Sequence, residues 1–258
     1  MEFASFNSSA PDLAVATAVH HGHDLRPGIA RLMALDEATR LREEDPFTGR
    51  LASMFGVNAV VNRSRFEVDL NRERNAAVYR EPDEAWGLAV WDAPLSEKQV
   101  SRSLDLYDGF YAELASILDN LVVEFGGFVL YDIHSYNHRR AGPEAAPEAV
   151  EDSPTVNLGT GSLPDKWRPV AEAFVEAMQA STLDGDALDV RENIRFQGGH
   201  LSRWVHQNYG NTSCALAIEL KKVFMDEWTG ELDPERLDDL GDALVASIDP
   251  VRRRYRLV

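Results

Sequence analysis

Two short apolar runs that stop abruptly at histidine constrain this chain more than any other feature. Residues 13–19, LAVATAV, end at His20-His21-Gly22, and residues 128–133, FVLYDI, end at His134. Runs of this length with little polar alternation read as strands covered on both faces, the pattern of a parallel sheet inside an α/β protein. Ligands in such sheets gather at the carboxyl ends of the strands, where both histidines fall.

The remaining periodicity agrees with this reading. Residues 27–44 carry Ile29, Leu32, Met33, Leu35 and Leu41 near helical spacing behind Pro27, which suits a first turn. Residues 101–125 show a strong amphipathic pattern closed by Gly126-Gly127, and residues 166–180 predict a further helix. Further strands are expected at 58–61, 65–70, 194–199 and 214–220. The alternation predicts a mixed, largely parallel sheet flanked by helices, with residues 1–258 forming one domain. Residues 139–152, RRAGPEAAPEAVED, lack large apolar side chains and read as a surface loop insertion placed to act as a lid.

Charge narrows the partners. A formal net charge of -17 repels a phosphate backbone, so nucleic acid is not expected, and the basic terminus VRRRYRLV reads as a solvated end or a sheet-edge segment. No apolar run approaches the roughly 18 to 20 residues that span a bilayer. No basic and apolar leader is present at the start, and Cys214 has no second cysteine to pair with, so a reducing, cytoplasmic setting is expected.

Five clusters carry chemistry. His20-His21-Gly22-His23-Asp24 places three histidines and a carboxylate within five residues, donors that zinc takes from proteins. Arg42-Glu43-Glu44-Asp45-Pro46 puts three carboxylates at a helix end, where negative charge is disfavoured by roughly 0.3 to 1 kcal/mol unless a cation offsets it; otherwise it is a solvated face. Asp132 precedes His134 by two residues, so the two share a strand face and Asp132 could accept the other ring N–H of a ligand histidine. Residues 62–72 offer Arg63, Arg65 and Arg72 around Asn71, side chains suited to holding a carboxylate or a developing oxyanion. Lastly, Glu219 lies in an apolar strand, either as an ion-pair partner or as a general base beside a metal, and Gly198-Gly199-His200 precedes it.

Taken in order, His20 with Gly22, Glu44-Asp45-Pro46, SRFEVDLNR (64–72), DIHSYNHRR (132–140), NLGT (157–160), GGH (198–200) and AIEL (217–220) resemble the N-formylglutamate amidohydrolase family from about residue 20 to 227. The DLNR segment is also similar to that of aspartoacylases. The resemblance implies a zinc-carboxypeptidase-like, hydrolase-like architecture and zinc-dependent hydrolysis of an N-formyl or related N-acyl amide of a small acidic amino acid. It makes His134 a zinc ligand, Asn71 and Arg72 the carboxylate grip, and Arg65 or Arg63 the oxyanion partner. Glu219 becomes the general base, taking a proton from water and returning it to the leaving amine; His200 is a candidate for substrate binding and, should Glu219 prove structural, for the base. The first ligand is His20 by one alignment and His21 with Asp24 by another, and the second is Asp45 or Glu44; His20 and Asp45 are preferred. Two other readings stand beside this one. Two histidines and a carboxylate also suit non-haem iron, and structural histidines would leave a non-catalytic binder of acidic ligands.

Overall fold

The computed structural model describes residues 2–258. Among these residues nine strands alternate with seven α-helices: β1 (Ala4–Asn7), β2 (Ala14–Ala18), α1 (Pro27–Ala30), α2 (Glu37–Glu43), α3 (Thr48–Ala52), β3 (Val57–Val61), α4 (Glu97–Phe125), β4 (Val129–Tyr136), β5 (Val156–Gly159), α5 (Arg168–Gln179), β6 (Thr182–Leu183), β7 (Asp186–Ala187), β8 (Val190–Glu192), α6 (His200–Tyr209), β9 (Cys214–Lys221) and α7 (Pro234–Tyr255). β6 and β7 form a small separate hairpin, and the other strands form one sheet in the order β1-β3-β2-β4-β9-β5-β8. The centre, β3-β2-β4-β9, is parallel, whereas β1 joins β3 and β5 joins β9 antiparallel. The sheet is therefore mixed and largely parallel, with helices on both faces.

Strand alternation assigns the two faces. Ala14, Ala16, Ala18, Tyr131, Ile133, Leu216 and Ile218 pack with α5 and α7 in one core. Val15, Leu130 and Ala215 face the opposite way, with α4 and α6 in a second core. By the two-residue period of a strand, Thr17, Asp132, His134 and Glu219 lie on this second face, toward the carboxyl ends of β2, β4 and β9. The register places Thr17 beside Asp132 and His134 beside Glu219.

Four expected elements differ. The 27–44 helix is broken into α1 and α2, because the intervening chain pairs with residues 90–92 (Ala34 N to Val90 O, 3.0 Å; Asp92 N to Leu32 O, 2.9 Å) and Asp36 caps α2 through Thr39 N at 2.7 Å. Residues 65–70 form turns rather than a strand, since the acids that alternate there are drawn inward to ion pairs, Glu67 with Arg26 and Arg63 and Asp69 with Arg65. Residues 194–199 likewise leave the ladder: the Asn157 side chain satisfies the backbone at Arg195 and Phe196 instead. Finally, the basic terminus is the last turns of α7 and not a sheet edge. That helix opens with Asp233 accepting from Arg236 N, has Pro234 in its first turn, and buries Leu237, Leu240, Leu244 and Val251.

Residues 139–152 run beside the carboxyl end of β4 as turns and one short 3₁₀ segment, with most side chains exposed. Among the described residues, no helix is long and apolar enough to cross a membrane.

Candidate metal centre and its cavity

His20 stands two residues beyond β2, Asp45 follows α2, and His134 lies within β4; all three are buried. The chain after α2 is tied to the end of β2 by a hydrogen bond from Asp45 N to His20 O, 2.9 Å, so the carboxylate enters between the two imidazoles. Asp45 Oδ2 lies 3.3 Å from His20 Nδ1 and 3.1 Å from His134 Nδ1. One ligand atom from each of the three residues lies within 4.8 Å of the others.

The far ring nitrogens are also held by acids. His20 Nε2 is 2.8 Å from Asp69 Oδ1, and His134 Nε2 is 3.1 Å from Asp132 Oδ1. Thr17 donates to Asp132 Oδ1 at 3.0 Å, while Asp69 also accepts from Tyr79 Oη, Arg65 and the Asn71 N–H. Two neutral imidazoles donating through Nε2 present both Nδ1 lone pairs to a carboxylate oxygen, which is repulsive unless a cation lies between them. His20 Nδ1 has no hydrogen-bond partner among the described residues. The donor set therefore fits a metal ion.

The same acids set the electrostatics of the cluster. Asp45 is held far below the usual carboxylate range despite its burial, by the adjacent His134 and His20 rings. His134 is pushed well above its usual value; burial opposes this, and Asp132 and Asp45 overcome it. Glu219 is raised to about 8, chiefly by burial, with His134 pulling it down and Asp45 and Asp132 pushing it up. A carboxyl poised near neutrality beside a donor cluster is the environment expected of a proton carrier.

A cavity of about 350 Å³ opens over this cluster, lined by His20, Asp45, His134 and Glu219 together with Arg65, Asn71 and Trp86. That volume is near the lower end for small-molecule sites, which suits a small substrate. Arg65 stacks on Trp86 with its guanidinium carbon 4.8 Å from the ring centre and bonds Asp69 Oδ2 at 2.8 Å. Its Nε has no partner among the described residues. Asn71 accepts from Leu201 N through Oδ1 at 2.9 Å, which fixes its amide with Nδ2 3.3 Å from His134 Nε2.

Other expected residues lie elsewhere. Arg63 pairs with Glu67, and Arg72 stacks on Tyr79 and donates to Glu84 O at 2.6 Å. The His200 ring bonds Tyr107 Oη at 2.9 Å. Among the described residues, none of these three lines the cavity. His23 and Glu44 pair at 2.6 Å, and Glu44 also accepts from Ser64, so the second carboxylate of the 43–45 run belongs to the framework. The cation that offsets the α2 terminus is a lysine: buried Lys222 donates to Arg42 O, Glu44 O and Asn137 Oδ1 at 2.6, 2.7 and 3.0 Å. Burial lowers Lys222 to about 8. Lys222, Asp69 and the cavity arginines Arg140 and Arg195 are not among the site residues expected from the sequence; for Asp69 alone the DLNR segment is a usable signal.

The position of Asn71 can be tested without substrate. A Cβ at Gly199 would meet Asn71 Nδ2 at 2.1 Å, although the Gly199 backbone is extended and open to other residues. Gly199→Ala is expected to break the Asn71–Leu201 bond and destabilise by about 1 to 3 kcal/mol in denaturant unfolding. Gly28→Ala, where a Cβ meets nothing within 4 Å, serves as the control and is expected to cost far less.

A mixed α/β sheet bearing a buried His/Asp/His donor set beside a carboxyl defines an enzyme-like cavity fitted for a metal. The family model for N-formylglutamate amidohydrolase matches residues 14–225, and the chain belongs to that family. An N-formylglutamate deformylase from Pseudomonas aeruginosa is 28% identical over 227 residues, covering 81% of this chain and 80% of that one. The crystal structure of an N-formylglutamate amidohydrolase from Ralstonia eutropha shares the fold, with a TM-score of 0.78 at 15% identity over 100% of both chains. A gene product of Agrobacterium tumefaciens does so with a TM-score of 0.67 at 16% identity, covering 98% of this chain and 97% of that one.

Proposed function

We propose that this chain is a zinc-dependent amidohydrolase that cleaves N-formyl-L-glutamate into formate and L-glutamate. The observation that carries the reading is the convergence of His20, Asp45 and His134 next to Glu219 in a small cavity, within a chain of this family. His20 Nδ1, His134 Nδ1 and an Asp45 oxygen would hold the metal, with Asp69 and Asp132 fixing the tautomers. A metal there supplies Lewis acidity, making water acidic enough to ionise near neutral pH and polarising the scissile carbonyl.

The protein's own groups do the rest. Glu219 takes a proton from the attacking water as its oxygen bonds to the formyl carbon. Arg65, anchored by Asp69 and Trp86 and with its Nε otherwise unpaired, donates to the carbonyl oxygen as charge builds there. Asn71 orients the substrate through its fixed amide. When the C–N bond breaks, Glu219 delivers the proton to the leaving nitrogen, releasing formate and the free amine. In this scheme Arg72 and Arg63 brace Asp69 and Glu67, and His200 is engaged with Tyr107.

Purified protein is expected to contain about one equivalent of zinc and to release equimolar formate and glutamate, followed by proton NMR. Chelation should abolish turnover and added zinc should restore it. No formate release by zinc-loaded protein defeats the substrate assignment. Full turnover in protein shown to be metal-free by elemental analysis defeats the metal assignment, and restoration by ferrous ion but not zinc defeats the choice of metal.

A further inference from the structure

Arg72 does not reach the cavity, so a different cation must meet an acidic substrate there. Three arginines line it: Arg65, Arg140 and Arg195. Arg65 is engaged with Asp69 beside the metal donors. Arg140 is about half exposed and pairs with Glu43 at 3.2 Å. Arg195 is built in more firmly. Fully buried Asn157, in register with Glu219, accepts from Arg195 N at 2.9 Å and donates to Phe196 O at 2.9 Å. The Arg195 guanidinium carbon lies 4.9 Å from the ring centre of Tyr136, which follows His134 by two residues on the same strand face. Two residues along a strand advance about 6.5 to 7 Å, close to the reach of a glutamyl side chain from its amide.

We propose that Arg195 is the specificity-determining residue that binds the side-chain carboxylate of the substrate, and that Glu148 occupies it until substrate arrives. Glu148 belongs to the 139–152 segment and meets Arg195 through both carboxylate oxygens, one contact of 3.5 Å and a shorter one. This carboxylate, in a two-oxygen contact with an arginine in the cavity lining, has the chemistry of the group the enzyme must recognise. Substrate would exchange one carboxylate for another on the same fork, releasing Glu148 to solvent. The inference rests on the function proposed above and adds to it the residue that selects an acidic amino acid.

The test compares zinc-loaded wild type, Arg195→Met, Arg195→Lys and Glu148→Gln on N-formyl-L-glutamate and the near-isosteric N-formyl-L-glutamine. Arg195→Met is expected to cut the acid-over-amide preference in kcat/KM by roughly 10- to 100-fold, mainly through KM for the acid. Arg195→Lys keeps the charge but not the fork, and should lose part of that preference even if the Met variant folds poorly. Glu148→Gln should lower KM for the acid. Calorimetric titration with L-glutamate and L-glutamine should show the same loss of discrimination without turnover. An unchanged preference in both Arg195 variants of an active protein overturns the assignment alone, and an unchanged or raised KM in Glu148→Gln overturns the exchange. Wild type that binds glutamate but hydrolyses neither substrate overturns the proposed reaction and leaves the binding test to decide Arg195.

Discussion

Glu219→Gln is expected to lower kcat by roughly 10²- to 10⁴-fold while leaving zinc content and KM for N-formyl-L-glutamate nearly unchanged. The amide is close to isosteric, so the packing of β9 against β4 and β5 should survive. Its oxygen cannot take a proton from water at neutral pH, however, and its nitrogen has none to give to the leaving amine. Glu219 is in register with His134 on one side and Asn157 on the other, and burial already raises its carboxyl to about 8. Replacing it removes one of the acids crowded around His134, so the variant should be no less stable than wild type. Metal analysis, thermal melting and steady-state kinetics separate the cases. A variant that loses zinc or melts lower, with turnover per metal-loaded molecule intact, makes Glu219 a ligand or a structural acid.

His20, His134 and Glu219 were legible because each stands in or just beyond a strand whose neighbours are apolar, so a polar side chain there had to answer to something other than water. Asp45 was legible only as one of three acids; Glu43, Glu44 and Asp45 differ by tertiary contacts that local spacing does not encode. Asp132 followed from the two-residue period. What stayed hidden depends on distance along the chain. Lys222 reaches the carbonyl of Arg42 across 180 positions, and Arg195 is held by Asn157 from 38 positions away. Both lie in segments without periodicity. The same limit broke the predicted 27–44 helix, whose middle is claimed by residues 90–92, and turned Arg72 onto Tyr79. The long α7 was missed although Leu237, Leu240, Leu244 and Val251 mark its buried stripe, because acidic residues and an internal Pro250 blur the pattern.

Asp45→Asn should have the largest effect of any isosteric change, since the donor set would lose its anion while two imidazoles still converge on that point. Elemental analysis is expected to show zinc well below stoichiometry, and kcat/KM should fall by on the order of 10³-fold or more, the equivalent of several kcal/mol of lost electrophilic stabilisation. Stability distinguishes a ligand from a mere ion-pair partner. If Asp45 only bridges protonated histidines, its carboxylate stabilises the fold without any metal; removing it then costs roughly 3 to 5 kcal/mol, and chelators leave wild type unaffected. A ligand behaves differently. Zinc bound to the native state alone stabilises by about 2.7 kcal/mol at a free concentration 100 times its Kd, so chelation should lower the wild-type melting temperature while barely moving that of Asp45→Asn. His134→Ala should match it in both respects. Full zinc occupancy in either variant, or a wild-type melting temperature indifferent to chelation, shows that these buried groups hold one another rather than a metal.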